Sequence, residues 1–295
     1  MDAFSQIIVY GAGAIGSYLG MRCSPYATLV ARPDHVAAIR SDGLRISGLE
    51  NECMVPAAAE ECPAIAENAL VLVAVKMGDV EAAGRDLAPR IRPDTVVAAL
   101  SNGLDPDRIL REILGCPIPR VIVQLGVTLD APGRISFWGG HLIMGPGAVE
   151  DRIVASFKQG GVKVERTEDL DRIVWEKLAI NCVANPLSAL TGRPNRELVD
   201  PELTGLREAI VEEVRRLAAT EGVVLPPDLC ERIDAALSRS SNRTSMLQDL
   251  ERRRPTEIEY LNGLVARRLA ELGIPAPVNR SLAQMVRMMK RCEMQ

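Results

Sequence analysis

In the stretch "VWEKLAINCVANPL", which is otherwise mostly apolar, Lys177, Asn181 and Asn185 recur at four-residue intervals. At about 100° per residue each step of four drifts by only about 40°, so the three share one face of a helix. The remaining faces are apolar apart from Glu176, which predicts a largely buried helix. An unpaired lysine or amide in such a place costs on the order of several kcal/mol, so these groups need partners. Those partners could be internal, with Asn185 before Pro186 serving a helix end or kink. A ligand cavity is the better account of three groups in register. An ammonium among apolar walls can stabilise a growing negative charge and donate a proton, while amides fix a ligand's oxygens.

A carboxylate to accompany the lysine is found in "RRRPTEIEYLNGLVARRLAEL". Read as one helix, Leu261, Leu264, Val265 and Leu272 define its apolar arc. Glu257 falls inside that arc, with Arg268 also intruding on it, and Glu259 lies nearly opposite. Thr256 and Glu259 fit a capping box, which would turn Glu259 to solvent.

A second set of residues suits a dinucleotide. "IIVYGAGAIGSYLG" places Gly11, Gly13 and Gly16 in G-x-G-x-x-G, directly after an apolar run and at a helix start. Glycine there permits the tight turn and close approach to a pyrophosphate. The helix N-terminus offers amides and partial positive charge to the phosphates. Gly11, Ala12, Gly13, Ala14, Ile15 and Gly16 form the expected cradle. Arg32 ends the next apolar run, where its planar fork suits a 2′-phosphate and so NADP(H). Asp34 is the competing ribose ligand and would favour NAD. Lys76 after "LVLVAV" and Asn102 in "SNGL" lie beyond two further runs, where ligands of open α/β sheets bind. Each is also an ordinary turn residue.

The elements that must carry these residues fall into two regions of different period. Candidate strands are Gln6–Tyr10, Ala27–Ala31, Ala69–Val75, Thr95–Leu100, Arg120–Leu125, Ile135–Trp138, His141–Met144 and Val162–Glu165. The early ones are nearly continuous apolar runs alternating with helical segments, which indicates a parallel doubly wound sheet. "APGRISFWGGHLIMGPG" reads as a hairpin-type addition. From about Glu168 the spacing becomes helical throughout, with Gly222 and Gly273 as stops. The expectation is a Rossmann-type α/β dinucleotide-binding domain over 1–167 and an all-α helical domain over 168–295.

Composition limits the remaining classes. The chain has 295 residues, 47% hydrophobic and 25% charged, with a net charge of −4. That gives no basic footprint for nucleic acid or an anionic membrane. No apolar run approaches a membrane span and no signal peptide is visible. The seven scattered cysteines suggest reduced thiols in a cytoplasm, with Cys182 a small buried hydrophobe and no metal required. The apolar, arginine-studded C-terminal helices could support a homodimer or belong to the chain's own core.

The blocks "GAGAIGS", "VAVK", "SNGL", "WEKLAINCVANPLSAL" and "SMLQDLERRRPTEIEYLNG" resemble ketopantoate reductases, in that family's order and across nearly the whole chain. The resemblance implies a cleft holding NADPH and a small branched 2-oxo acid, reduced as ketopantoate is to pantoate. It implies Lys177 as catalytic lysine and Glu257 as essential acid. It also implies Asn102, Asn181, Asn185, Asn242 and Ser245 around substrate and nicotinamide, Arg32 at the 2′-phosphate and Lys76 near the cofactor. Ser245 could equally start a helix, and Asn242 could be a plain loop residue. Two departures stand out: "NREL" at Asn195–Leu198 has arginine where the family often has glycine, and Thr128–His141 matches less well. Other readings are a reductase of another branched 2-oxo acid, a 3-hydroxy-acid dehydrogenase and a non-catalytic NADP-binding sensor. A histidine-acid dehydrogenase is disfavoured, because His35 and His141 both lie outside the polar cluster.

Overall fold

The computed structural model of the chain describes residues 3–292. Its backbone divides into two compact units, Met1–Leu170 and Asp171–Gln295.

The first unit runs β1 (Gln6–Tyr10), α1 (Ala14–Arg22), β2 (Ala27–Val30), α2 (Pro33–Asp42), β3 (Leu44–Gly48), β4 (Glu52–Met54), β5 (Ala57–Ala59), β6 (Ala69–Val73), α3 (Val80–Leu87), β7 (Val96–Ala99), α4 (Pro106–Leu114), β8 (Val121–Ala131), β9 (Arg134–Met144), α5 (Ala148–Gln159) and β10 (Val164–Arg166). Five strands pair in the order β5-β2-β1-β6-β7, all parallel. Every residue of β6 is buried, as is the middle of β1, because both faces of the sheet are covered. Each buried Val, Leu or Ile there contributes roughly 1.5–3 kcal/mol. The chain goes from β1 to β2 on one side and later places β6 on the other, so the strand order reverses beside β1. Ligands of doubly wound sheets bind at the carboxyl ends of strands at such a point.

A second sheet runs β10-β9-β3-β4, with β8 paired to β9 as a long antiparallel hairpin. One core joins both sheets: Ile7, Leu29, Leu72, Leu19, Phe157, Ile46, Phe137 and Met144 all belong to it. Tyr18 of α1 stacks on Phe137 of β9 at 4.4 Å.

This sheet revises the strand assignments. The two runs read as Ile135–Trp138 and His141–Met144 are one strand, because Gly139 and Gly140 continue the pairing with β8. β3, β4 and β5 carry no long apolar run; β4 and most of β5 are exposed or half-buried edges, so burial leaves little pattern in their sequence. β6 ends at Val73, which puts Lys76 three residues beyond the strand rather than directly after it.

The second unit is helical: α6 (Leu170–Thr191), α7 (Thr204–Thr220), α8 (Leu229–Ser238), α9 (Ser245–Glu251), α10 (Asn262–Glu271) and α11 (Pro277–Cys292). No helix among the described residues is long and apolar enough to cross a membrane.

Candidate functional site

In the first unit the predicted cofactor residues gather on the loops leaving β1, β2, β6 and β7. Gly11 sits at φ +98°, and a Cβ there would lie 2.8 Å from the Val75 amide nitrogen, so only glycine fits against the chain leaving β6. At Gly16 a Cβ would lie 2.5 Å from the Gly11 carbonyl oxygen, so glycine lets α1 press onto the loop. At Gly13 a Cβ would meet no protein atom within 4 Å. Two glycines are therefore required by the protein itself, whereas the third faces open space at the start of α1. There the first amides of the helix have no intrahelical acceptor. A diphosphate fits such a place by both shape and charge.

The Gly11 and Ala12 amides both donate to the Val30 carbonyl, at 3.1 and 2.8 Å, which locks the glycine loop to the end of β2. Two residues past that strand, Arg32 is exposed and occupies the cap position before Pro33 of α2. Asp34 is exposed in the first turn of the same helix. Lys76 is exposed at the head of a 3-10 turn, Met77–Asp79. Asn102 is half-buried in a loop held from two sides. Ser101 Oγ donates to the Val75 carbonyl at 2.7 Å. Arg120 donates to the carbonyls of Gly103 and Leu104 and to Asp107 Oδ1, the last at 2.6 Å. In the sequence Ser101 and Arg120 carry no motif of their own, each merely ending or beginning an apolar run.

Neither histidine is spare. His35 is 4% exposed, with Nε2 2.9 Å from Ser17 Oγ and Nδ1 accepting from the Gly133 amide at 3.0 Å. Burial holds its pKa below the ordinary value, opposed by Asp34 and reinforced by Arg32. His141 Nε2 lies 3.4 Å from Glu165 Oε2.

In the second unit α6 runs 22 residues, straight through Pro186. Lys177 and Asn181 are half-buried and Asn185 is 8% exposed, so the polar face becomes drier along the helix. Cys182, on a neighbouring face, is fully buried, and burial pushes its thiol far above the ordinary range, which suits an inert hydrophobe.

Glu257 reaches its place by a different route from the wheel argument. Residues 256–272 are not one helix: Ile258–Tyr260 is a 3-10 turn, and α10 begins only after Leu261, whose φ of −114° and ψ of −105° break the run. Half-buried Glu257 heads that turn, which is rigidly seated by Ile258 and Leu261 at 2% and 1% exposure. The capping box does not form; Glu259 instead pairs with Arg287 Nε at 3.0 Å.

Asn242 and Ser245 are both exposed, at and just after the approach to α9. The cap of α9 is Thr244, whose Oγ1 accepts from the Leu247 amide at 3.3 Å, and Ser245 follows it as the first residue of the helix. The Asn242 carbonyl accepts from the Asn195 amide at 3.0 Å, and the Ser240 carbonyl accepts from the Arg196 amide at 2.9 Å. The unusual "NREL" segment thus runs against "SSN", with the Arg196 side chain 60% exposed. Among the described residues, no group of three His, Cys, Asp or Glu could hold a metal ion.

A glycine loop at the switch point of a parallel sheet, followed by a helical unit bearing a lysine, amides and an acid, defines a dinucleotide-dependent oxidoreductase. The family descriptions "Ketopantoate reductase PanE/ApbA" and "Ketopantoate reductase PanE/ApbA C terminal" match residues 7–147 and 169–290. The chain is 32% identical to the 2-dehydropantoate 2-reductase of Halobacterium salinarum, covering 97% of this chain and 99% of that one. It is 33% identical to that of Archaeoglobus fulgidus, covering 96% and 97%. A PanE/ApbA family ketopantoate reductase from Ralstonia eutropha JMP134 superposes with a TM-score of 0.91 at 33% identity, over 98% of this chain and 100% of that one. A D-mandelate dehydrogenase solved with NADH and anilino(oxo)acetate shares the fold, at a TM-score of 0.90 and 21% identity over 97% and 99%. The chain belongs to the ketopantoate reductase family.

Proposed function

We propose that this chain reduces 2-dehydropantoate to pantoate with NADPH, in the supply of pantothenate, a coenzyme A precursor. The observation that carries the reading is the α6 face, on which Lys177, Asn181 and Asn185 stand in line on a helix that is continuously buried from Cys182 to Ala189.

NADPH, when bound, supplies the hydride for the C2 carbon of the keto acid. Gly13 and the first amides of α1 would hold its diphosphate, Arg32 would hold its 2′-phosphate, Lys76 would lie near the cofactor, and Asn102 would reach the nicotinamide or the substrate. As hydride arrives, negative charge grows on the C2 oxygen. The Lys177 ammonium stabilises that charge and passes one proton to the oxygen, leaving the hydroxyl of pantoate. Glu257 orients Lys177 or accepts from a substrate hydroxyl. Asn181 and Asn185 donate amide hydrogen bonds, and Asn242 and Ser245 contact the substrate, with Ser245 on the carboxylate.

The test is loss of NADPH absorbance with ketopantoate, beside a panel of straight-chain, other branched and aromatic 2-oxo acids, each run also with NADH. Highest kcat/KM for ketopantoate with NADPH supports the reading. Highest kcat/KM for an aromatic oxo acid with NADH would replace it.

A further inference from the structure

Pro186 has no N–H, so within α6 it cannot donate to the carbonyl four residues earlier, that of Cys182. That carbonyl is nonetheless paired: Asn262 Nδ2 donates to it at 2.9 Å. Asn262 is fully buried and opens α10, five residues after Glu257 and just past the rigid 3-10 turn. Cys182 lies between Asn181 and Asn185 in sequence. The one side-chain bond therefore ties the lysine helix to the segment bearing the acid.

The tie is itself braced. The same Nδ2 donates to Asn279 Oδ1 at 2.8 Å. Fully buried Asn279 donates through Nδ2 to Glu213 Oε2 at 2.7 Å and to the Ile210 carbonyl at 3.3 Å. Glu213, 3% exposed, accepts the Val278 and Asn279 amides at 3.0 and 2.8 Å, placing a carboxylate at the N-terminus of α11. With both Nδ2 hydrogens directed at carbonyl oxygens, the Asn262 amide has one orientation. A proline that removes a helix bond would ordinarily weaken α6; here the freed carbonyl becomes the attachment point for another segment.

We propose that Asn262 is a positioning residue for the reaction, setting the Glu257 turn against the Lys177–Asn185 face through the carbonyl that Pro186 leaves open. This rests on the function proposed above. Displacement of a reacting group by about 1 Å can cost on the order of a hundredfold in rate, so a lost tie should appear in turnover.

The experiment uses the full chain as Asn262→Ala, Pro186→Ala and the double variant. Alanine at 186 restores the helix N–H for the Cys182 carbonyl, so the double variant should regain melting temperature lost by Asn262→Ala. Turnover should not follow: kcat is expected to stay down by about tenfold or more in both variants carrying Asn262→Ala, relative to their own backgrounds, with NADPH affinity unchanged. Recovery of kcat together with melting temperature, or a kcat within about twofold of the parent for Asn262→Ala, would make Asn262 a stability residue only. Hydrogen–deuterium exchange separates this from failure of the functional reading. If the unmodified chain turns over no 2-oxo acid, faster exchange of residues 257–261 in the double variant still demonstrates the tie, and unchanged exchange overturns it.

Discussion

His35 Nε2 and Ser17 Oγ lie 2.9 Å apart, and Ser17 Oγ lies 3.3 Å from the Ala12 carbonyl, inside the glycine loop. Because Nδ1 accepts the Gly133 amide at 3.0 Å, the ring's proton belongs on Nε2. Ser17 then accepts from His35 and donates to Ala12, so a buried neutral imidazole joins the β8–β9 turn to the cofactor loop. Protonating Nδ1 would destroy the Gly133 bond, and burial already holds the folded pKa below the ordinary value. The unfolded chain therefore takes up this proton first. The stability contribution is complete above about pH 6.5 and is lost as pH falls through that value toward the lower folded one. Melting curves of the parent and His35→Gln between about pH 5 and pH 8 should differ in slope only on the acid side, by no more than one proton. NADPH affinity, a property of the folded chain, should weaken only as pH falls through the lower folded value. Parallel curves would remove His35 from the acid response.

Gly13 and Gly11 should respond differently to the same methyl group. Gly13→Ala meets no protein atom and has an ordinary φ of −80°, so it should leave melting unchanged and weaken NADPH binding by about tenfold or more. Gly11→Ala must push into Val75 at positive φ, so melting temperature and binding should fall together. Fluorescence titration of NADPH beside thermal melts checks both.

Arg32 caps α2 with its backbone and leaves the guanidinium exposed. Arg32→Ala should raise the dissociation constant of NADPH by about ten- to a hundredfold, the worth of a charged hydrogen bond or two. NADH affinity should barely change. Equal loss for both cofactors would mean that Arg32 touches a part they share and would take the 2′-phosphate away from it.

Arg207, 2% exposed, grips Asp234 with Nε at 2.7 Å and Nη2 at 2.8 Å while Nη1 donates to the Leu198 and Asp200 carbonyls. It thereby holds the "NREL" turn that runs against Asn242. Arg207→Ala leaves a part-buried carboxylate and two carbonyls without their donor, and should cost about 3–5 kcal/mol in chemical denaturation. A loss below about 1 kcal/mol would mean that water replaces the guanidinium.

What could be read in the sequence follows physical period. β1 and β6 show as apolar runs because both faces are covered, and α6 shows as a helix because its polar residues keep step with the turn. The edge strands β4 and β5 stayed hidden because little of them is buried. A helical wheel singles out Glu257, although its segment breaks at Leu261; a 3-10 turn leaves the same apolar residues with a different angular step. Asn262 carries no mark of its role in the sequence, because an amide before glycine reads as a turn. The available signal was Pro186 itself, since a proline inside a helical pattern demands a donor for the carbonyl four residues back.

Lys177 and Glu257 should separate chemistry from binding. Lys177→Ala removes the proton donor and the charge that meets the growing alkoxide, so kcat should fall by about a hundred- to ten-thousandfold, the range for a positioned general acid. NADPH binding should persist, because the glycine loop and Arg32 belong to the other unit. Lys177→Arg keeps the charge but holds its proton far more tightly, and should not restore turnover. Glu257→Gln preserves the side chain's shape at the head of the 3-10 turn, so melting should be unaffected while kcat/KM for the keto acid drops. Single-turnover rates with saturating NADPH, measured beside thermal melts for all three variants, distinguish the roles. Near-parental turnover in Lys177→Ala would give the acid role to another group, and a lower melting temperature with intact kinetics in Glu257→Gln would make that carboxylate structural.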